Sequence, residues 1–149
     1  MKALIQRVKK ARVKVNNKSI STIGRGLLIF IGIYSNDSIN DASKICKKII
    51  NLRIFNDTKD KINYSILDIR GEILLISQFT LCADTRKGNR PSFKNAMEPK
   101  EAMSLFNYLK EELNKFTNLQ TGQFGAMMEV DLLNDGPMTI MLDTKNENK

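Results

Sequence analysis

Residues 72–81, Glu-Ile-Leu-Leu-Ile-Ser-Gln-Phe-Thr-Leu, constrain the fold more than any other stretch, because four aliphatic residues run straight into four that can hydrogen-bond or stack. A continuous apolar run of strand length, preceded by Gly71, reads as a strand buried on both faces. Such a strand is rigid, and rigid elements place polar groups more accurately than loops do. Ser77, Gln78, Phe79 and Thr80 at its end are therefore either local partners of a strand terminus, a common role for Ser and Thr, or one wall of a site.

A chain of 149 residues can bury roughly 70% of the surface it exposes when unfolded, so a single domain over residues 1–149 needs no metal or disulfide to hold it. Histidine is absent, which excludes Ser-His and Cys-His dyads. Cys46 and Cys82 suit small buried hydrophobes; with no histidine beside them they leave no zinc set, and no cofactor is expected. The first seven residues lack the uninterrupted apolar core of a signal peptide, so a cytoplasmic protein is expected. The longest apolar run, residues 27–33, is far short of the ~18 residues a membrane-spanning helix needs. A net charge of +8 favours a polyanionic partner, although lysine is abundant along the whole chain.

Taken in order, residues 2–15 read as one long strand bulged near 9–10, turned at 16–18 into a short strand at 19–23. Gly24-Arg25-Gly26 is a turn, without the Gly-Lys-Ser/Thr a phosphate loop requires, and 27–34 is a second strand buried on both sides. Ser35-Asn36-Asp37-Ser38 supplies capping chemistry for an amphipathic helix over 39–52. Ile54-Phe55 is a short strand, and residues 62–68 are expected to be the antiparallel neighbour of the central strand through a turn at 68–71. Residues 82–93 have no apolar period; Arg86, Lys87 and Arg90 on this long loop are the first candidates for contact with a phosphate backbone. Pro99 opens a second helix, followed by expected strands at 119–124, 127–133 and 138–142, with Gly122 and Gly125 as bulges and residues 143–149 as a frayed tail. The fold class is α/β, a single domain with a largely antiparallel or mixed, barrel-like sheet and two main helices.

Asn134-Asp135-Gly136-Pro137-Met138-Thr139 is strong turn chemistry between two apolar strands. Together with Ser77-Gln78-Phe79-Thr80-Leu81, Asn89-Arg90-Pro91-Ser92-Phe93 and Thr121-Gly122-Gln123-Phe124-Gly125-Ala126, in that order along the chain, it resembles the D-aminoacyl-tRNA deacylase family. Gln6-Arg7-Val8 resembles that family's first strand. The likeness covers nearly the whole chain, with Met138 standing where the family usually has valine.

The resemblance implies a homodimer that hydrolyses the ester of D-aminoacyl-tRNA, and of glycine mischarged on tRNA(Ala), releasing the amino acid and tRNA. Ser77, Gln78, Phe79 and Thr80 would form the catalytic wall. A cis Gly136–Pro137 bond on a loop entering the other subunit's site would aim two carbonyls at the α-amino end and leave no room for an L side chain, a rejection by shape and polarity. Arg7, whose guanidinium can hold two carbonyls at once, is the candidate clamp, the alternative being an exposed strand charge. Phe124, Ala126 and Met128 would line the adenosine pocket. The nucleophile is Thr80, a water or the substrate's 2′-hydroxyl, with the Phe79 and Thr80 amides the favoured oxyanion donors. The expected partner is tRNA, with no membrane and no DNA. Competing readings are a non-catalytic tRNA-binding module of the same fold, a related deacylase with a trans Gly-Pro bond that admits small L-amino acids, and a dimer binding DNA by charge.

Overall fold

A computed structural model describes residues 1–145. Its strands are β1 (Lys2–Val15), β2 (Lys18–Ile23), β3 (Gly26–Gly32), β4 (Phe55–Asn56), β5 (Ile62–Tyr64), β6 (Glu72–Ser77), β7 (Leu119–Thr121) and β8 (Glu129–Asp143). Two helices, α1 (Ile39–Asn51) and α2 (Pro99–Asn114), and a one-turn helix at Phe79–Cys82 complete the described elements.

The first hairpin follows from Asn16 and Asn17, which take φ of 49° and 62°. Two consecutive left-handed residues make the tight turn whose twist matches the strands it joins, and asparagine tolerates that conformation best after glycine. β1 then pairs antiparallel with β2 and β3 along one edge and with β8 along nearly its whole length on the other. β3 and β6 run parallel, as do β6 and β7. The Ser21 hydroxyl donates to the Thr121 carbonyl at 2.6 Å, bringing β2 to β7 and nearly closing the sheet into a barrel.

The central strand is buried on both faces, as its sequence requires. Leu27, Ile29 and Ile31 of β3 and Ile73 and Leu75 of β6 pack with Ala42, Ile45 and Ile49 of α1 and with Phe106 and Leu109 of α2. Leu28, Leu74 and Ile76 turn the other way, into a second cluster with Val8, Val13 and Ile23. Strict alternation thus divides one apolar run between two cores.

Four expectations are corrected. Residues 62–64 pair with β4, and the neighbours of β6 are β3 and β7, both parallel. The strands expected at 127–133 and 138–142 are one strand, β8, because the long β1 offers a ladder on both sides of Gly136-Pro137. Gly122 and Gly125 lie in the loop after β7 instead of forming bulges: Gly122 donates its N–H to Leu75, and Gly125 turns the chain at φ 74°. The tail is not frayed at 143–145, since Asp143 ends β8 and Thr144 is buried, its N–H on the Met1 carbonyl at 3.0 Å; the remainder of that expectation lies outside the described residues.

Thr144 belongs to a buried polar knot. The Met1 ammonium donates to Asp37 at 2.7 Å and to the Thr144 hydroxyl at 2.8 Å, and that hydroxyl donates to Asp41. Asp41 also accepts the Ser38 N–H and hydroxyl at the start of α1, while Lys145 lies 3.6 Å away. Burial works to raise the Asp41 pKa, but the Ser38 and Thr144 hydrogen bonds and the Lys145 charge outweigh it and hold it at about 2. A lowered carboxylate pKa stabilises the fold above the unfolded value of about 3.9 and loses that contribution as pH falls through the folded one. The melting temperature of the native protein should therefore exceed that of Asp41→Asn above about pH 4, with the gap closing towards about pH 2 in a circular-dichroism series.

Candidate active site

The carboxyl ends of the parallel strands β3 and β6 open into a cleft of about 610 Å³, bounded across the gap by the start of α2. Crevices at the carboxyl ends of parallel strands are where α/β folds most readily hold ligands. Ser77, Gln78 and Phe79 line one side; Phe124, Ala126 and Met128 line another. Six residues singled out from the sequence thus converge on one cavity. Thr80 is exposed beside it, its hydroxyl 2.5 Å from the Gln78 side-chain amide, which donates to it.

The wall's polar end is shaped by the Phe79–Cys82 turn. The Gln78 N–H donates to the Ile31 carbonyl at 2.7 Å, which continues the β3–β6 ladder by one step before the chain curls. Phe79 and Thr80 open this turn, so their N–H groups fall where a helix has no internal acceptors. The curl lies directly over Gly32: a methyl group there would sit 2.7 Å from the Leu81 Cβ and 3.3 Å from the Gln78 carbonyl. Cys82 ends the turn, buried, with burial pushing its thiol up to about 11.

Several lining residues had no assigned role from the sequence. Phe93 meets Phe79 edge-on with ring centroids 5.0 Å apart, and Met97, Pro99 and Ala102 complete the opposite wall. Phe93 closes the motif at 89–93, and an aromatic residue on an unpatterned loop was the available signal. The loop at 83–91 is exposed along most of its length. Of its cations, Arg86 is already held by Asp84, with Nε 2.9 Å from one carboxylate oxygen and the terminal nitrogen 2.6 Å from the other.

Arg7, Gly136 and Pro137 lie elsewhere. None of the three lines the cleft of its own chain. The Gly136–Pro137 bond is cis, both residues are exposed, and Gly136 has φ 131°, a conformation that L side chains rarely adopt. Arg7 is 8% exposed and does hold two carbonyls: its Nε donates to Asp135 at 3.0 Å and a terminal nitrogen to Ile54 at 2.6 Å. The same nitrogen reaches Asn56 Oδ1 at 3.3 Å. Asn134 closes the loop from below, accepting the Met138 N–H at 2.8 Å and donating to Thr139 at 3.0 Å.

The family model described as D-Tyr-tRNA(Tyr) deacylase matches residues 4–143. A D-aminoacyl-tRNA deacylase of Thermosipho melanesiensis (strain DSM 12029 / CIP 104789 / BI429) is 49% identical over 147 residues, covering 97% of this chain and 98% of the relative. A solved structure of a c-Myc DNA Unwinding Element Binding Protein superposes with a TM-score of 0.93 at 41% identity, over 97% of this chain and 99% of that one. A second, described as a probable eukaryotic D-amino acid tRNA deacylase, shares the fold with a TM-score of 0.82 at 17% identity, over 95% and 97% of the two chains. Matched by the family model over nearly its whole length, and by a named deacylase at that identity, the chain belongs to the D-aminoacyl-tRNA deacylases and is a hydrolase of that family.

Proposed function

We propose that the protein is a cytoplasmic homodimer in which the loop at 134–139 of one subunit closes the cleft of the other, admitting D-aminoacyl and glycyl esters of tRNA and rejecting L-aminoacyl esters. The observation that carries this reading is the separation of the cleft from a loop that is exposed yet firmly anchored: Arg7 fixes a loop that does not line this cleft in its own chain. Immobilising an exposed loop is useful when it must meet a surface supplied by another molecule. The open edge of β8 supports the partner being a second copy, since among the described residues it pairs only with β1 and carries exposed Leu132, Leu133 and Met141. Among the described residues no helix is long and apolar enough to cross a membrane.

In the reaction so read, the ester carbonyl lies against the 77–80 wall and the adenosine against Phe124, Ala126 and Met128. Water, or the neighbouring ribose 2′-hydroxyl in a first step, attacks the carbonyl carbon. The Phe79 and Thr80 amides hold the developing oxyanion, and the bond to the ribose oxygen breaks as that oxygen takes the proton the nucleophile gives up; where the 2′-hydroxyl attacks first, water then hydrolyses the resulting 2′-ester in the same way to free the amino acid. The Thr80 side chain is not the nucleophile: no histidine exists to activate it, and its nearest partner is an amide that donates to it. Thr80→Ala should accordingly keep most of its turnover in a single-turnover assay, and loss of activity with binding and fold intact would return the hydroxyl to the reaction. Gly32→Ala should push the 79–82 turn off the sheet and lower kcat by about 10²-fold, the scale set by a displacement of about 1 Å at a reacting centre. The expected pattern is a fall in kcat with the fold retained and the melting temperature lowered by roughly 2–12 °C, the scale of overpacking a buried position.

Incubation with D-tyrosyl-tRNA and L-tyrosyl-tRNA tests the reading directly, release from the D form alone being the expected result. The name of the 41% identical neighbour favours one other reading, a dimer that binds DNA nonspecifically through its charge. That reading expects steeply salt-dependent binding with no preference for an aminoacylated 3′ end.

A further inference from the structure

The ladder between β1 and β8 slips twice, between Gln6 and Val8 and between Val8 and Lys10, and the slips set Val8 against Asn134 and Lys10 against Leu133. Lys9 and Lys10 are both exposed, between buried Val8 and Ala11. A regular strand turns alternate residues inward, so two consecutive lysines reach solvent together only because the strand bulges there. Of the other cations of β1, Lys2 lies over the Tyr34 ring, Arg7 is 3.4 Å from Asp135, Arg12 is neutralised by Asp131 at 2.6 Å and Lys14 by Asp131 and Glu129. Lys9 and Lys10 have no ion-pair partner among the described residues. Lys10 stands opposite Leu133, the residue before the Gly136-Pro137 loop, about one strand spacing (~5 Å) away, and Lys9 lies between it and Val8, which faces Asn134.

Resting on the cross-subunit reading above, we propose that Lys9 and Lys10 bind backbone phosphates of the tRNA 3′ strand held in the partner subunit's cleft. A loop that meets the aminoacyl ester carries its flanking residues to the nucleotides just before it, and those nucleotides present phosphates. Lysine suits this role as a mobile point charge needing no fixed fork geometry. The loop and its two lysines then act as one unit, the first facing the acyl group and the second the strand that delivers it. Arg86, already saturated by Asp84, is a weaker phosphate ligand than either.

The test compares the native dimer with a Lys9→Ala/Lys10→Ala double variant on two substrates: D-tyrosyl-tRNA and the D-tyrosyl ester of adenosine, which keeps the ester and the base but has no phosphate. The expected result is a KM for the tRNA raised on the order of tenfold at unchanged kcat, with a salt dependence shallower by about 1.4 in log–log slope, two single-strand contacts' worth. Kinetics on the adenosine ester should not change. Equal losses on both substrates, an unchanged tRNA slope, or a weakened dimer in sedimentation with unchanged tRNA affinity would each overturn the proposal. Failure of the underlying reading looks different: native protein that is monomeric under assay conditions, or that releases nothing from either D-tyrosyl substrate, removes the cross-subunit site itself.

Discussion

Arg7→Ala should lower kcat/KM for D-tyrosyl-tRNA by about 10²-fold and narrow the ratio between D and L substrates, because it unties the loop that the proposed mechanism uses as its selector. Its guanidinium is the described link between the loop, through the Asp135 carbonyl, and the chain at β4, through Ile54 just before it and Asn56 within it. Truncation leaves a buried carbonyl at Ile54 without its donor, a penalty of about 1–3 kcal/mol, and frees the loop to move. Arg7→Lys keeps the charge but cannot span both carbonyls from one nitrogen, so it should fall well short of rescue. The informative readout is the D/L ratio, measured with both tyrosyl-tRNAs alongside circular dichroism. A variant that loses rate yet keeps its chiral ratio would show that the loop does not select.

Asp37→Ala should be the most destabilising single change at the chain ends. Its carboxylate and the Met1 ammonium are both fully buried, 2.7 Å apart, and its second oxygen accepts the Tyr34 N–H. Removing one member of a buried ion pair strands the other, a loss of about 3–5 kcal/mol. For a chain of this length that is a fall in melting temperature of roughly 6–20 °C. Asp37→Asn restores a hydrogen bond to the ammonium without the charge and should recover only part of the loss. Thermal melts of the three proteins at neutral pH distinguish these expectations from a surface role, under which all three would melt together.

Much of the scaffold was written in local sequence. The apolar run at 73–76 specified a doubly buried strand, the Ser35-Asn36-Asp37-Ser38 capping residues marked the start of α1, and Pro99 opened α2 at its first turn. What escaped was non-local. The partners of β6 lie far away in sequence, so adjacency wrongly favoured residues 62–68. Asn-Asp-Gly-Pro reads as a hairpin because turn chemistry is local, while the continuous β1 ladder that keeps β8 one strand cannot be read from those residues alone. Five of the six cleft residues lay in motifs, and Met128 followed from the family resemblance. What ties the loop down was not legible: Ile54 and Asn56 meet Arg7 from some fifty positions away, and neither residue type announces such a role.

Cys82 closes the turn that shapes the polar wall, and its thiol, raised to about 11 by burial, stays protonated at cellular pH. Oxidants and electrophiles attack the thiolate, so the one sulfhydryl placed to disturb this wall is chemically quiet. Burial thus lets a cysteine fill the space beneath this wall without setting a reactive thiolate beside the cleft.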